Sequence, residues 1–133
     1  MISAHELRPG NLILQKLSGK IAMTPCTAAH FAMLDRGEGA TLYPVVLKPE
    51  LLERCGFAEN MDYPLRPGAR EFRLVLPVIG GADTQLAGYV KSNGECFARA
   101  MVNGAAASNN VHQLHQLQNL HFALTGAELE LKK

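Results

Sequence analysis

Residues 111–126, Val111-His-Gln-Leu-His-Gln-Leu-Gln-Asn-Leu-His-Phe-Ala-Leu-Thr-Gly126, form the longest uninterrupted helical pattern in the chain. At about 100° per residue, Val111, Leu114, Leu117, Leu120 and Leu124 spread over roughly half of the circumference. Asn109 or Asn110 stands where a cap belongs, and Gly126 where a left-handed stop belongs. A helix that is apolar over half its surface has to be covered by a sheet or by other helices. The same stretch holds three of the five histidines. His112 and His115 are three apart and share a face with Asn119 and Phe122, whereas His121 falls within the leucine arc.

The segments that cover this helix read as strands and short helices. Pro9-Gly10 is a turn that feeds an apolar run over residues 11–14, and Ser18-Gly19-Lys20 is a second turn, so residues 21–24 return as a hairpin partner. Thr27 is the expected N-cap of a short helix over residues 28–34, stopped by Gly37 or Gly39. Leu42-Tyr-Pro-Val-Val-Leu47 is extended, and Pro44 limits it to an edge strand or none. Pro49 sits at a first helical position, with Leu51, Leu52 and Cys55 on the buried side and Gly56 as the stop. Residues 58–70 read as a loop with a short strand around Tyr63, punctuated by Asn60, Pro64 and Pro67-Gly68. Glu71-Phe-Arg-Leu-Val-Leu76 alternates and predicts a strand with Phe72, Leu74 and Leu76 inward. Pro77, Gly80 and Gly81 end that strand. Residues 86–91 and 95–102 flank Asn93-Gly94, the strongest short hairpin signal. Residues 103–110 predict a mobile loop or a loosely paired extension. The tail 127–131 predicts either a short edge strand or a further helical turn capped by Thr125 and Glu128.

Composition narrows the function classes. The chain has 133 residues, 47% hydrophobic and 19% charged, which suits one folded domain spanning 1–133 and argues against disorder. A formal charge of +1 gives no bulk attraction to nucleic acid or an anionic membrane. The three cysteines, Cys26, Cys55 and Cys96, are far apart and contain no Cys-x-x-Cys pair, so a reducing cytoplasm is expected. No basic region followed by an apolar stretch marks a signal peptide, and no apolar run approaches the ~18 residues of a membrane span. Tryptophan is absent, which weakens readings built on stacked bases or sugars.

Few residues point to chemistry. A His-x-x-His pair such as His112 and His115 can hold a metal only with one or two further ligands. The helix supplies none, and the later acids are Glu128 and Glu130. No metal or cofactor is expected. The plain expectation is that His112 and His115 face solvent or bond a neighbouring strand, and that His121 is partly buried and hydrogen-bonded. The cysteines lack any nucleophile signature and read as packing residues. Glu50/Glu53 and Glu128/Glu130 read as helix-start and solvated-face charges. Gly80-Gly81 lacks the context of a phosphate loop. Arg66, Arg70, Arg73, Lys91 and Arg99 fall on or beside the expected sheet, but Glu71 and Glu95 are interleaved with them.

Residues 115–129, His115-Gln-Leu-Gln-Asn-Leu-His-Phe-Ala-Leu-Thr-Gly-Ala-Glu-Leu129, resemble the closing stretch of a family of small uncharacterised proteins frequent in Bacteroidetes genomes and their phages or mobile elements. Its members end in His-x-Leu-Gln-Asn-Leu-aromatic-Phe-Ala-Leu-Thr-Gly-x-Glu-Leu, with an aromatic where this chain has His121. Leu7-Arg-Pro-Gly-Asn-Leu12 is similar to the family's opening Leu-Arg-x-Gly-Asn. Pro44-Val-Val-Leu-Lys-Pro-Glu-Leu-Leu-Glu-Arg-Cys-Gly-Phe57 is similar to its middle block, with Lys48 where a capping Thr is usual. Together the three blocks cover about a third of the chain. Residues 78–110 depart from the family's pattern. The resemblance implies no activity. It draws attention to Gln118 and Asn119, whose amides can tie a helix to sheet edges or loop backbone.

The expected fold is α+β, with a mainly antiparallel twisted sheet of about five or six strands, or a partly open small barrel, packed by the C-terminal helix and two short helices. The expected function is a non-enzymatic accessory or interaction module, associated with phages or mobile elements, that binds protein or itself. A nucleic-acid-binding module is the second reading. A small enzyme or metal protein using His112 and His115 is the third. His112, His115, Gln118 and Asn119 are the candidate ligand or interaction residues.

Overall fold

The computed structural model describes residues 2–61, 68–77 and 81–132. The chain begins with a 3-10 turn, Ala4–Glu6, that leads into β1 (Leu12–Leu17) and β2 (Lys20–Pro25). Ser18 and Gly19 join these strands with φ of 51° and 79°, so Leu17 pairs directly with Lys20. Two positive-φ residues match the right-handed twist of the strands, which is why a two-residue turn suffices.

Thr27 precedes α1 (Ala28–Asp35) as expected, but the side chain that closes the first turn is His30. The Thr27 amide donates to His30 Nδ1 at 2.9 Å. With Nδ1 accepting, Nε2 carries the proton and donates to Gln15 Oε1 at 3.0 Å, so one ring links α1 to β1. A second 3-10 turn, Gly39–Thr41, leads to β3 (Leu42–Tyr43), which pairs with β1. Pro44 follows at once and offers no amide, so this edge strand stops after two residues.

In α2 (Pro49–Arg54), Pro49 opens the first turn and Gly56 closes the last with φ of 95°. The Gly56 amide donates to the Glu53 carbonyl, and the Phe57 amide to that of Leu52. This Schellman arrangement folds Phe57 back into the core. Then come β4 (Ala58–Glu59), β5 (Arg70–Val75), β6 (Thr84–Val90), β7 (Cys96–Val102), β8 (Ala105–Ala106) and α3 (Leu114–Thr125). The fold is α+β. Among the described residues its strands form two open antiparallel sheets, ordered β2-β1-β3 and β4-β5-β6-β7-β8, rather than the single sheet expected.

The larger core lies between the inner face of the five-stranded sheet and the two later helices. Phe72, Leu86, Leu52, Leu114 and Leu117 are fully enclosed there. Gly88 makes this contact possible, since a Cβ at that position would lie 2.6 Å from Leu52 Cδ1. A smaller cluster packs Ile2, Leu7, Ile13, Cys26 and Leu42 against α1.

Several local expectations are corrected. Asn93 does not adopt positive φ; Gly94 alone does, at 90°. The Gly94 amide donates to the Lys91 carbonyl and the Lys91 amide to that of Glu95, so this hairpin has a three-residue loop with a glycine bulge. The two-residue turn is made instead by Asn103 and Gly104, with φ of 50° and 83°, and it pairs β8 onto β7 within the stretch expected to be loose. Glu71, whose phase in the strand is opposite to that of the inward Phe72, is nevertheless buried. Burial pushes its pKa up, but hydrogen bonds from Arg73 and Asn60 more than offset this and hold it below the ordinary carboxylate value. Residues 127–132 form neither strand nor helix. They lay Leu129 into the core and bond Arg54 through Lys132. The expected strand around Tyr63, the turns at Pro64 and Pro67, and Arg66 and Gly80 lie outside the described residues.

Candidate functional site

Helix α3 begins at Leu114, three residues later than expected, and neither Asn109 nor Asn110 caps it. The backbone of residues 111–113 is otherwise engaged. Val111 exchanges both hydrogen bonds with Ala98 of β7, and Val46 forms a bridge with Gln113. Gln116 reaches back instead, and its Oε1 accepts from the amides of His112 and Gln113 at 3.1 and 3.2 Å.

This start separates the two histidines. His112 precedes the helix, is half-exposed, and lies 3.4 Å from Glu95 Oε1 on the β6–β7 hairpin. His115 is inside the first turn and completely buried, contrary to the solvent-facing expectation. Its Nε2 is 3.4 Å from Glu6 Oε2 at the other end of the chain, and its Nδ1 has no hydrogen-bond partner among the described residues. Burial lowers its pKa below the ordinary histidine value, with Glu6 opposing the shift. His121 Nδ1 lies 2.8 Å from the Ala127 carbonyl, which places the proton on that nitrogen. The three rings therefore serve three different places. Among the described residues, no group of three or more His, Cys, Asp or Glu converges as metal ligands would.

Gln118 and Asn119 are brought together, and both bind the N-terminal segment. Gln118 Oε1 accepts from the Leu12 amide at 2.8 Å. Asn119 Nδ2 donates to the Glu6 carbonyl at 2.7 Å, and its Oδ1 accepts from Arg8 Nε at 2.8 Å and from Asn11 Nδ2 at 2.9 Å. Asn11, fully buried, uses its own Oδ1 to accept from the Arg8 amide at 2.6 Å. The Arg8 guanidinium continues to Glu128 at 2.8 Å and lies over the Phe122 ring at 4.1 Å. The Arg8 hydrogen bonds hold the Glu128 carboxyl below its usual value. Arg8, Asn11 and Glu128 were not among the sequence candidates. The signal was present in the Leu7-Arg-Pro-Gly-Asn11 block, whose polar residues meet those of the closing block. The middle block joins them, because the Leu47 amide donates to the His112 carbonyl and the Leu114 amide to that of Val45.

Nucleophile chemistry has no support in the thiols. All three cysteines are free and buried. Burial pushes Cys55 up to about 12 and Cys96 up to about 11, and raises Cys26 as well, so none is a thiolate at neutral pH. The cations also divide. Arg70 lies on the inner-face register of β5 and pairs with Glu59, whereas Arg73, Lys91 and Arg99 fall on the outer register. Of these three, Arg73 pairs with Glu71 and Lys91 with Glu95. The Arg99 guanidinium lies 4.9 Å from the Tyr89 ring centre.

A different surface is open. β2 is an edge of the three-stranded sheet, and its side chains are largely exposed. The two-residue turn makes Leu17 and Lys20 a hydrogen-bonded pair, so Lys20, Ala22 and Thr24 point their backbone groups at β1. The Cys26 amide bonding the Asn11 carbonyl at 2.7 Å continues the same phase. Ile21 and Met23 consequently point their N–H and C=O groups outward, and among the described residues nothing bonds them. Their side chains, 60% and 37% exposed, share a face with Leu14 and Tyr43. A cleft of about 440 Å³ adjoins this face, lined mainly by apolar side chains that include Leu14, Met23, Val46 and Leu51, together with the charged Lys48, Glu50 and Arg54.

No helix among the described residues is long and apolar enough to cross a membrane. Comparison of the chain with known protein families, with curated proteins and with solved structures finds no match in any of the three.

Proposed function

We propose that the chain is a non-enzymatic interaction module that receives an extended protein segment along β2. One observation carries this reading. Of the four sheet edges among the described residues, β3, β4 and β8 are two residues long, whereas β2 runs for six residues with the outward amides of Ile21 and Met23 unbonded there and the side chains of both residues exposed and apolar. Short edges are a common protection against unwanted pairing, and β2 lacks it. A strand added there gains backbone hydrogen bonds from Ile21 and Met23, and its side chains fall beside the apolar cleft, which supplies selectivity. A phage or mobile-element association belongs to the same proposal and rests on the three sequence blocks. A cytoplasmic location rests on the free cysteines.

A nucleic-acid-binding module is the second reading. It is favoured by Tyr89 and Phe97, whose ring centres are 5.5 Å apart on the outer register beside Arg99. The pairing of Arg73 and Lys91 with acids counts against it, because phosphate contact requires cations free to replace counterions. A small enzyme or metal protein using His112 and His115 has less support, since the two rings contact different acids.

The test is a photo-reactive residue at position 21, compared with one at position 106 on the short β8 edge, in cells expressing the full chain. Adducts of one discrete protein mass from position 21 and none from position 106 are expected. Equal labelling at both positions, or none at 21, would overturn the proposal.

A further inference from the structure

We infer that the segment received by β2 is β2 of a second copy, paired antiparallel about a two-fold axis at Ala22. This rests on the reading of β2 as a docking edge and names its occupant. An antiparallel edge is complementary to itself when its outward groups are symmetric about one residue. Here the outward N–H groups belong to Ile21 and Met23, which flank Ala22; Pro25 shares their phase but has no N–H to offer. Placing Ala22 opposite Ala22 of the partner subunit sets Ile21 against Met23 of the partner subunit and Met23 against Ile21 of the partner subunit. Every outward N–H and C=O of these residues then finds a mate. Four apolar side chains gather on one face.

Charge permits this arrangement. Lys20 is the strand's only charged residue, and this register sets it opposite Thr24 of the partner subunit, so no like charges meet. Closure also favours a dimer over a fibre. The far edge of the joined six-stranded sheet is the two-residue β3 at both ends, which offers no comparable template. Two short strands give less contact than the roughly 800 Å² per partner of a standard interface. The association is therefore concentration-dependent.

The register predicts a specific cross-link. Ala22 bonds inward to β1, so across the two-fold axis it forms a non-hydrogen-bonded pair with Cα atoms about 4.5 Å apart. That separation lies within the ~4.4–6.8 Å range of disulfides. Thr24 residues of the two copies would be roughly 14 Å apart. Ala22 is exposed, and the three natural cysteines are buried, so wild type under the same oxidant is a clean reference. Under mild oxidation most of Ala22→Cys should convert to a covalent dimer, and less than about a tenth of Thr24→Cys. Sedimentation of wild type should show its mass rising from one chain toward two between roughly micromolar and millimolar concentration. A single-chain mass throughout, or equal cross-linking of both variants, overturns the dimer. If that occurs while position 21 labels a different protein in cells, docking at β2 stands with another occupant. If position 21 labels nothing, both readings fall.

Discussion

At the seam between α3 and the N-terminal segment, the Glu6 carbonyl and the Arg8 and Leu12 amides each meet a side-chain amide of the same molecule. Along β2 the Ile21 and Met23 backbone groups meet none among the described residues. Both regions attach to β1, and both consist of backbone polar groups beside apolar side chains. The seam satisfies its groups with residues from positions 6 to 128, so its hydrogen bonds stabilise the fold. The edge leaves its groups to water, so a partner can replace the water at little cost to either chain. Gln118 and Asn119 thus do their visible work inside the molecule, and the surface offered outward lies elsewhere.

The most disruptive test of this contrast is Asn119→Ala. It deletes three hydrogen bonds and leaves the buried Asn11 amide group without its acceptor. A loss of about 2–3 kcal/mol is expected, because an orphaned buried donor costs more than a hydrogen bond gains. Urea unfolding measures it. A loss below about 0.5 kcal/mol would remove the seam from the list of what holds the fold together.

Arg8→Ala should cost less, about 1–2 kcal/mol, although Arg8 reaches Asn119, Glu128 and Phe122. Glu128 is half-exposed, so its pair is screened by water, and Glu128→Ala should cost at most about 1 kcal/mol. Finding Glu128→Ala as costly as Asn119→Ala would mean that charge, rather than amide geometry, seals the seam. Thermal or urea denaturation of the three variants in parallel decides this.

His115 gives a pH readout of the same seam. Its folded pKa lies below its unfolded value, so the unfolded chain binds the proton more readily. Its contribution to stability is complete above the unfolded pKa of about 6.5 and is lost as pH falls below it. The Glu71 and Glu128 carboxyls, also held low, act only near and below the ordinary carboxylate range. Unfolding free energies between pH 7 and pH 5 should therefore fall more steeply for wild type than for His115→Gln. Equal slopes would show that the Glu6 contact compensates the burial.

These particulars show what the sequence could and could not convey. Local rules worked where one residue decides one torsion or one cap: Gly19, Pro49, Gly56 and Gly126 all act as expected. They failed where two sites competed for the same motif. Asn93-Gly94 and Asn103-Gly104 are the same dipeptide, and only the register of β7 assigns the two-residue turn to the second. The helix start failed for a similar reason, since Ala98 and Val46 engage residues 111–113 from distant strands. Gln118 and Asn119 were legible as residues that tie the helix down. Their partners were not, because contacts spanning more than a hundred residues leave no periodicity to read. The open edge was least legible. Exposure of Ile21 and Met23 depends on what fails to cover them, and a hairpin pattern alone does not carry that information.

The smallest expected change in stability is at the edge, and it separates the two regions most cleanly. Ile21→Lys places a charge on a side chain that is already 60% exposed and that belongs to neither hydrophobic cluster. No hydrogen bond within β1–β2 is lost, because position 21 points its backbone outward. Unfolding free energy, measured at a concentration where the chain is dispersed, should stay within about 0.5 kcal/mol of wild type. Self-association should weaken strongly in the same variant, since the new charge would stand among the four apolar side chains that the pairing gathers on one face. A loss of more than about 1–2 kcal/mol in the dispersed chain, the scale of a lost core contact, would show that Ile21 is an internal packing residue, and the distinction between sealed seam and open edge would fail.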